Sequence, residues 1–131
     1  MEVMIRPAKP EDRAFIISTW TKGQLYGHSF FSAVDPDAYF AHYPQYITSV
    51  LDSTTTEVLL ACLPEDLDII LAYVVFKGPG VAWAFTKKAW RGQGLIKQLT
   101  QGRPITVVYS LTKPGQAIML KKGLKFDPWG L

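Results

Sequence analysis

The chain has 131 residues, of which 48% are hydrophobic and 19% are charged. This composition excludes a disordered or fibrous chain and predicts one folded domain over residues 1–131. The net charge of +3 is unevenly divided, because residues 1–76 carry a charge of −6 and residues 77–131 carry +9. A basic C-terminal half indicates an anionic partner, such as a phosphorylated cofactor, or an ordinary solvated surface.

The N-terminal part predicts a strand, a helix and an aromatic loop. Residues 3–6 favour a short strand. Pro10, followed by two acidic residues, is typical of a helix start, and Gly23 is predicted to end that helix. Residues 24–34 are predicted to form a loop that is unusually rich in aromatic side chains.

A second helix is predicted after Asp35 and Pro36, which match the N-cap and first position of a helix. Aromatic and aliphatic residues then recur at helical spacing from Tyr39 to Leu51. Such a stripe is typical of a core face, and sometimes of a ligand wall. Pro44 is predicted to kink this helix or to divide it in two.

The remaining chain predicts mostly strands. Apolar and β-branched runs indicate strands at residues 54–62, 69–76, 81–86 and 105–109, and the second and third of these are expected to form a hairpin. Short helices are predicted at 95–101 and 115–122, and a last strand at 124–126. The order β-α-α-β-β-β-α-β-α-β indicates an α/β (α+β) fold with a single mixed, mostly antiparallel sheet flanked by helices.

The sequence does not favour a metal-binding, a disulfide-bonded or a membrane-spanning protein. Cys62 is the single cysteine and is predicted to be an inert core thiol, while the two histidines give no metal signature. No metal is therefore expected. The chain has no apolar run that could span a bilayer and no signal-peptide pattern at its start, so a cytoplasmic location is expected.

The most informative segment joins a strand to a helix through Arg91-Gly92-Gln93-Gly94. Glycines allow a tight turn that brings backbone N–H groups close to a ligand, and the following helix adds unpaired N–H groups. The pattern favours a pyrophosphate site, although a glycine-rich turn without a ligand is the alternative. It is neither a dinucleotide fingerprint, because Lys97 replaces the third glycine, nor a P-loop.

This segment resembles the acyl-CoA motif of the Gcn5-related N-acetyltransferase (GNAT) superfamily, Arg/Gln-x-x-Gly-x-Gly/Ala. The opening stretch at residues 5–12 and the element order are also similar to that family. The resemblance implies an acyl-CoA N-acyltransferase-like fold and acetyl-CoA as acyl donor, and small proteins of this kind are frequent in bacteria and phages. The implied cofactor-binding residues are Phe85, Thr86, Arg91, Gly92, Gln93, Gly94, Leu95 and Ile96.

The catalytic part of the family pattern is not visible. Ile96 replaces the last Gly/Ala of the motif, and the strand at 81–85 has no ionisable residue where the family often carries a glutamate base. The C-terminal asparagine and tyrosine of the family are also missing. Candidate catalytic residues are Tyr109, Ser110 and His28, although packing roles are expected for Tyr109 and for His28. The family resemblance places acceptor binding in the aromatic loop, at Tyr26, His28, Phe30 and Phe31.

Three functions are therefore compared. The first is an N-acetyltransferase acting on a primary amine of a small molecule or a protein. The second is a catalytically inactive GNAT-like protein that serves as an interaction or virion-associated module, in which case the location is a host cytoplasm or a virion. The third, nucleic-acid binding through the basic half, has no recognition motif to support it. A homodimer is a further expectation, since this fold often pairs through its C-terminal strands.

Overall fold

The computed structural model describes residues 2–27, 31, 33–110, 112 and 122–131. Its strands are β1 (Met4–Pro7), β2 (Thr56–Leu63), β3 (Asp66–Lys77), β4 (Gly80–Thr86), β5 (Val107–Val108) and β6 (Lys125–Phe126). Its α-helices are α1 (Arg13–Gly27), α2 (Pro36–Asp52) and α3 (Leu95–Thr100), with 3₁₀ turns at Pro10–Asp12 and Lys88–Trp90.

The six strands form one sheet in sequence order. β1 to β4 are antiparallel neighbours, whereas β5 pairs parallel to β4 and β6 pairs parallel to β5. The predicted mixed, mostly antiparallel sheet is therefore confirmed, as is the β3–β4 hairpin. The predicted helix at 115–122 lies outside the described residues, apart from Lys122.

The sheet is covered on both faces, and β3 contributes to both cores. Tyr73 and Val75 belong to a cluster with residues of α1 and α2. Val74 and Phe76 belong to a second cluster with residues of α3. Successive side chains of a strand point to opposite faces, so a strand that is covered on both sides is apolar at every position. This explains the unbroken run of apolar residues in β3.

The first helix is longer than predicted, because α1 continues through Gly23 to Gly27. The prediction of a helix end at Gly23, and of a loop from residue 24, was therefore wrong. A β-carbon placed on Gly23 would lie 2.6 Å from Cζ2 of Trp83 in β4. Glycine at this position thus allows the helix to approach the sheet closely rather than terminating it.

Helix α2 is continuous through Pro44, so of the two predicted outcomes, a kink or a division, the division does not occur. Asp35 caps its start as predicted, accepting a hydrogen bond of 3.0 Å from the amide of Ala38. Before the proline, the hydroxyl of Tyr39 donates to the carbonyl of Thr21 in α1. After it, Ile47 is fully buried in the first core. Packing on both sides offsets the hydrogen bond that proline cannot make.

Two strand boundaries also differ from expectation. β3 begins at Asp66, so the polar turn predicted over residues 63–68 contains only Pro64 and Glu65 between the strands. β5 covers only Val107–Val108 instead of residues 105–109. The shorter β5 matters for the site described below.

A buried ion pair fastens β1 to the turn that follows it. Two nitrogens of the Arg6 guanidinium lie 2.7 and 3.0 Å from the two oxygens of Asp12. Asp12 is 7% exposed and also accepts a hydrogen bond of 2.7 Å from the Lys9 amide. The hydrogen bond from Arg6 holds the pKa of the Asp12 carboxyl below its usual value, although burial opposes this shift.

We expect Asp12→Asn to destabilise the fold by about 1.5–3 kcal/mol at pH 7, because charged hydrogen bonds at a buried site are lost. A lowered folded-state pKa contributes stability above the unfolded-state pKa, about 3.9, and loses it as the pH falls through the folded-state pKa. The difference between wild type and variant in urea unfolding should therefore be constant above about pH 5 and shrink below about pH 4.

Asp52→Asn is the matched control. Asp52 pairs with Arg13 at 2.6 Å, but both side chains are well exposed. Its loss should cost less than about 1 kcal/mol. If the two variants lose the same free energy of unfolding, burial does not strengthen the Arg6–Asp12 pair.

Candidate functional site

β4 and β5 are paired only at the start of β4, and the unpaired space beyond this pairing, as far as the described residues show it, is termed the cleft. The parallel ladder has only two positions, Gly80 with Val107 and Val81 with Val108. One further hydrogen bond of 3.0 Å runs from the Tyr109 amide to the Val81 carbonyl. Beyond it, residues 82–86 of β4 have no strand neighbour on this side among the described residues. The cleft therefore opens toward the glycine loop that follows β4.

The edge of β4 carries a bulge at the start of the cleft. Val75 of β3 pairs with Trp83, whereas Phe76 pairs with Val81. Ala82 consequently has no partner on β3. An unpaired residue in a bulge redirects the local backbone groups, and bulges occur often beside active sites.

The loop after β4 exposes a run of backbone amides. Gly92 and Gly94 have φ values of +79° and +73°, which side-chain-bearing residues rarely adopt. Residues 91–94 are exposed, and within the described chain none of the amides of residues 92–97 donates a hydrogen bond. Successive unpaired N–H groups of this kind form a concave anion-binding surface.

Side chains around this loop hold it and add positive charge. Nε of Arg91 donates to the Thr86 carbonyl at 3.3 Å, which fixes the guanidinium at the end of β4. Leu95 is 2% exposed and Ile96 packs against the second core. The side chain of Ile96 therefore packs against this core beneath the loop. Phe85 stacks on Tyr73 with ring centroids 5.3 Å apart.

Not all basic side chains of the C-terminal half face this loop. Arg103 forms an ion pair of 2.8 Å with Glu57, and its guanidinium carbon lies 3.9 Å from the Phe76 ring centroid. The ammonium of Lys87 lies 5.6 Å from the ring centroid of Phe15. Lys88 and Lys97 are exposed near the loop.

The face of β4 that packs on α1 carries an aromatic side chain. Trp83 is 7% exposed and stacks on Trp20 of α1, with ring centroids 5.9 Å apart and an interplanar angle of 8°. Both indole N–H groups are buried, and neither makes a hydrogen bond within the part of the chain that the structure describes. Buried donors without partners are rare in native proteins.

Tyr43 of α2 is partly buried and stacks on Tyr39, with ring centroids 4.9 Å apart. Burial raises the pKa of Tyr43, with smaller increases from Tyr39 and Tyr46. The phenol therefore stays protonated at neutral pH.

Of the predicted catalytic candidates, Tyr109 and Ser110 follow β5 directly. Tyr109 is 8% exposed, and its ring packs against Gly80 and Gly130 at the closed end of the cleft. Burial, and to a smaller extent Asp127, raises the pKa of Tyr109. Ser110, the next residue, is half-buried. His28 lies outside the described residues.

The predicted acceptor residues are only partly described. Phe30 lies outside the described residues, like His28, and Tyr26 is 79% exposed at the end of α1. Phe31 contacts the rings of Tyr39 and Tyr43 at centroid distances of 5.8 and 5.5 Å. Together they line an open groove of 290 Å³ along α2.

Sequence reasoning did not select Tyr43 or Trp20 as site residues. Tyr43 appeared only as one member of the aromatic stripe of α2. The sequence signal for Tyr43 is the repeat of aromatic residues at positions 39, 43 and 46, which is typical of a core face and sometimes of a ligand wall. The stacking of Trp20 on Trp83 depends on tertiary packing.

The predicted absence of a metal site remains a prediction. The described residues contain no group of three or more His, Cys, Asp or Glu side chains that could hold an ion. Cys62 is buried, as expected for a core thiol, and His42 is exposed. In the same part of the chain, no helix has the length and apolar character needed to cross a bilayer.

No protein-family model matches the chain, and no curated protein matches it in sequence. Solved structures do match. A putative acetyl transferase from Pyrococcus furiosus aligns over 95% of this chain and 79% of its own, with a TM-score of 0.63 and 13% identity. A predicted acetyltransferase from Clostridium acetobutylicum, solved with acetyl-CoA, aligns over 99% and 94%, with a TM-score of 0.59 and 18% identity.

The apo form of YjaB from Escherichia coli aligns over 77% of this chain, with a TM-score of 0.55 and 20% identity. In that alignment this chain spans 63% of the length of YjaB, less than two thirds. At these identities the similarity shows a shared fold.

Proposed function

We propose that this chain, which has the fold of the Gcn5-related N-acetyltransferase superfamily, transfers an acetyl group from acetyl-CoA to a primary amine. The observation that carries the proposal is the combination of two features in this fold. β4 and β5 part after two paired positions, and the cleft leads to a loop with unpaired amides at residues 92–97. A pyrophosphate fits such a loop, and an extended thiol arm fits such a cleft.

In this proposal the amides of residues 92–97 bind the pyrophosphate, and Arg91 adds a charge-assisted contact. The hydrogen bond from Arg91 to the Thr86 carbonyl supports this role, because it holds the guanidinium beside the loop. Phe85 and Thr86 are half-buried at the end of β4 and would lie beside the pantetheine. A structural relative solved with acetyl-CoA makes this donor the first one to test.

The reaction joins the amine nitrogen to the acyl carbon, breaks the carbon–sulfur bond and returns a proton to the leaving sulfur. The unpaired edge of β4 beyond Val81 offers backbone N–H groups for the oxygen that becomes negatively charged. The hydroxyl of Tyr43, which burial keeps protonated at neutral pH, is the proton donor in this proposal. Positioning of donor and acceptor then supplies a large share of the acceleration.

No carboxylate stands on β4 to take the proton from the amine. Trp83 occupies the wall there, covered by Gly23 of α1. A general base contributes about 10²–10⁴-fold in rate, so we expect slow turnover with acceptors that remain protonated at neutral pH.

Trp83 is also the observation that favours a second candidate, an inactive protein of this fold that binds a partner. A buried indole in place of an ionisable group removes one catalytic function but leaves the loop intact. The exposed rings of Tyr26 and Trp129, at 79% and 89%, would provide contact area.

The test is a calorimetric titration with acetyl-CoA, followed by release of free CoA thiol in the presence of primary amines. Binding together with amine-dependent thiol release is the expected result. Binding without release with any amine would favour the inactive interaction protein. No binding at millimolar acetyl-CoA would overturn the proposal.

A further inference from the structure

The start of β3 is irregular and leaves part of the strand outside the ladder with β2. Cys62 of β2 pairs with Ile70 of β3. The next residue of β2, Leu63, pairs with Asp66. Residues 67–69 therefore have no partner on β2, and they form a wide bulge at this end of the sheet.

A buried arginine holds this bulge in place. Nε and Nη2 of Arg6 donate hydrogen bonds of 3.1 and 3.0 Å to the carbonyl of Leu67. The side chain of Arg6 is only 13% exposed and is itself fixed by its ion pair with Asp12. A bulge held in this way loses little conformational freedom when a partner binds, which lowers the entropic cost of association.

The surface of the bulge combines apolar and acidic side chains. We term it the acidic corner, and it consists of Met4, Glu65, Asp66, Leu67, Asp68 and Ile69. Its three apolar side chains are between 38% and 48% exposed. Its three carboxylates are exposed as well, and none forms an ion pair within the described chain. Such a surface suits a partner that is both apolar and basic.

A second exposed surface, of opposite charge, surrounds β6 at the other edge of the sheet. Phe126 is 42% exposed and Trp129 is 89% exposed. Lys122 and Lys125 are exposed in the same segment. These four residues form what we term the basic corner. Asp127 lies among them, and its carboxylate accepts a hydrogen bond of 3.0 Å from the Trp129 amide.

The two corners lie at opposite ends of the sheet. Ala72 of β3 pairs with Thr86 at the end of β4, so the bulge lies beyond that end. Gly80, at the start of β4, is level with Val107 of β5 and hence with Lys125 of β6. The length of β4 separates the two levels by roughly 20 Å. Contact between the corners therefore requires two molecules.

We propose that the acidic corner of one molecule binds the basic corner of a second copy of this chain. The apolar side chains of each corner cover those of the other, and the carboxylates face the ammonium groups. Because two different surfaces meet, each molecule keeps one free corner, and copies associate head to tail. Pairing of two β6 strands would instead bring Lys125 of each copy together. This contact does not depend on the proposed function.

The first experiment is sedimentation velocity of the chain from about 10 μM to about 1 mM. We expect the average mass to rise with concentration beyond that of a dimer, because head-to-tail contacts do not close at two copies. Raising the salt concentration from about 0.05 M to about 0.5 M should weaken the association at least about threefold, since opposite charges meet in the contact.

Two variants each block one corner. Leu67→Lys reverses the character of the acidic corner, and Trp129→Glu that of the basic corner. Each should weaken association about tenfold or more, and the fold should survive because both side chains are exposed. Tyr26→Glu is the matched control, since it also replaces an exposed ring by a carboxylate but lies outside both corners. It should leave association unchanged within about twofold.

A mixture of the two blocked variants tests the direction of the contact. Leu67→Lys keeps its basic corner and Trp129→Glu keeps its acidic corner, so one copy of each can make a single wild-type contact. We expect each variant alone to be largely monomeric, and the equimolar mixture to form a one-to-one dimer and nothing larger.

Four results would overturn the inference. The wild type stays monomeric over the whole range, or the mixture of the two variants does. Association stops at a dimer that Leu67→Lys does not weaken, which assigns the pairing to β6 alone. Trp129→Glu and Tyr26→Glu weaken association equally, which attributes the effect to net charge.

Discussion

Gly94→Asp should raise the dissociation constant for acetyl-CoA by about two orders of magnitude or more, because it puts a carboxylate among amides that are expected to face a pyrophosphate. The fold should survive. Nothing lies within 4 Å of a β-carbon built on Gly94, and aspartate tolerates a φ of +73° better than most residues. The measurement is a calorimetric titration of both proteins at modest salt.

Gly78→Asp is the matched control. Gly78 also has a positive φ, +54°, and open space around it, but it lies in the β3–β4 turn. That turn is at the opposite end of β4, roughly 20 Å away for a seven-residue strand. Binding should be unchanged. If both aspartates weaken binding equally, net charge rather than the loop explains the effect.

Gly23→Ala should destabilise the protein, although helix propensity alone predicts the opposite. Replacing glycine by alanine inside a helix is favourable by about 1 kcal/mol. Here the new methyl group would lie 2.6 Å from Trp83, and overpacking a core typically costs about 1–3 kcal/mol. We expect a net loss of about 1–2 kcal/mol in urea unfolding.

Trp83→Phe provides the test of the cause. Its smaller ring removes the atoms that the alanine would meet, so Gly23→Ala should cost less in this background, and the two changes should be non-additive. If the changes in the free energy of unfolding of the two variants are additive, or if Gly23→Ala alone stabilises the protein, α1 does not pack closely against this indole.

Much of the fold could be predicted because local pattern and tertiary structure agree. The run of β3 is apolar on both faces, and Lys77–Gly80 has turn residues between two strands, so the hairpin followed directly. The loop at residues 91–94 was also found from its two glycines, and both of them take positive φ values.

The errors lie where tertiary contacts override local preferences. Gly23 has the sequence signal of a helix end, but the nearness of Trp83 gives glycine a different role. Pro44 normally interrupts a helix, yet α2 is held on both sides of it by Tyr39 and Ile47. Neither contact can be read from spacing along one element.

The site was only partly predictable for the same reason. The loop at residues 91–94 is local in sequence and was recognised. The stack of Trp20 on Trp83 joins α1 to β4, which are far apart in the sequence, and the sequence shows only that each residue is aromatic. The splitting of β4 from β5 depends on the unusually short ladder between them, which periodicity does not reveal.

That short ladder has a consequence for the order in which the molecule opens. β2, β3 and β4 are joined by tight hairpins, so they close small loops and should form early in folding. β5 joins later, across a longer loop and by two ladder positions. Amide hydrogens of β5 should therefore exchange with solvent far sooner than those of β3, through local opening. A molecule bound between β4 and β5 would link a part of the fold that forms early to one that forms late. Slower hydrogen exchange of the β5 amides would then be a sensitive sign that this molecule is bound.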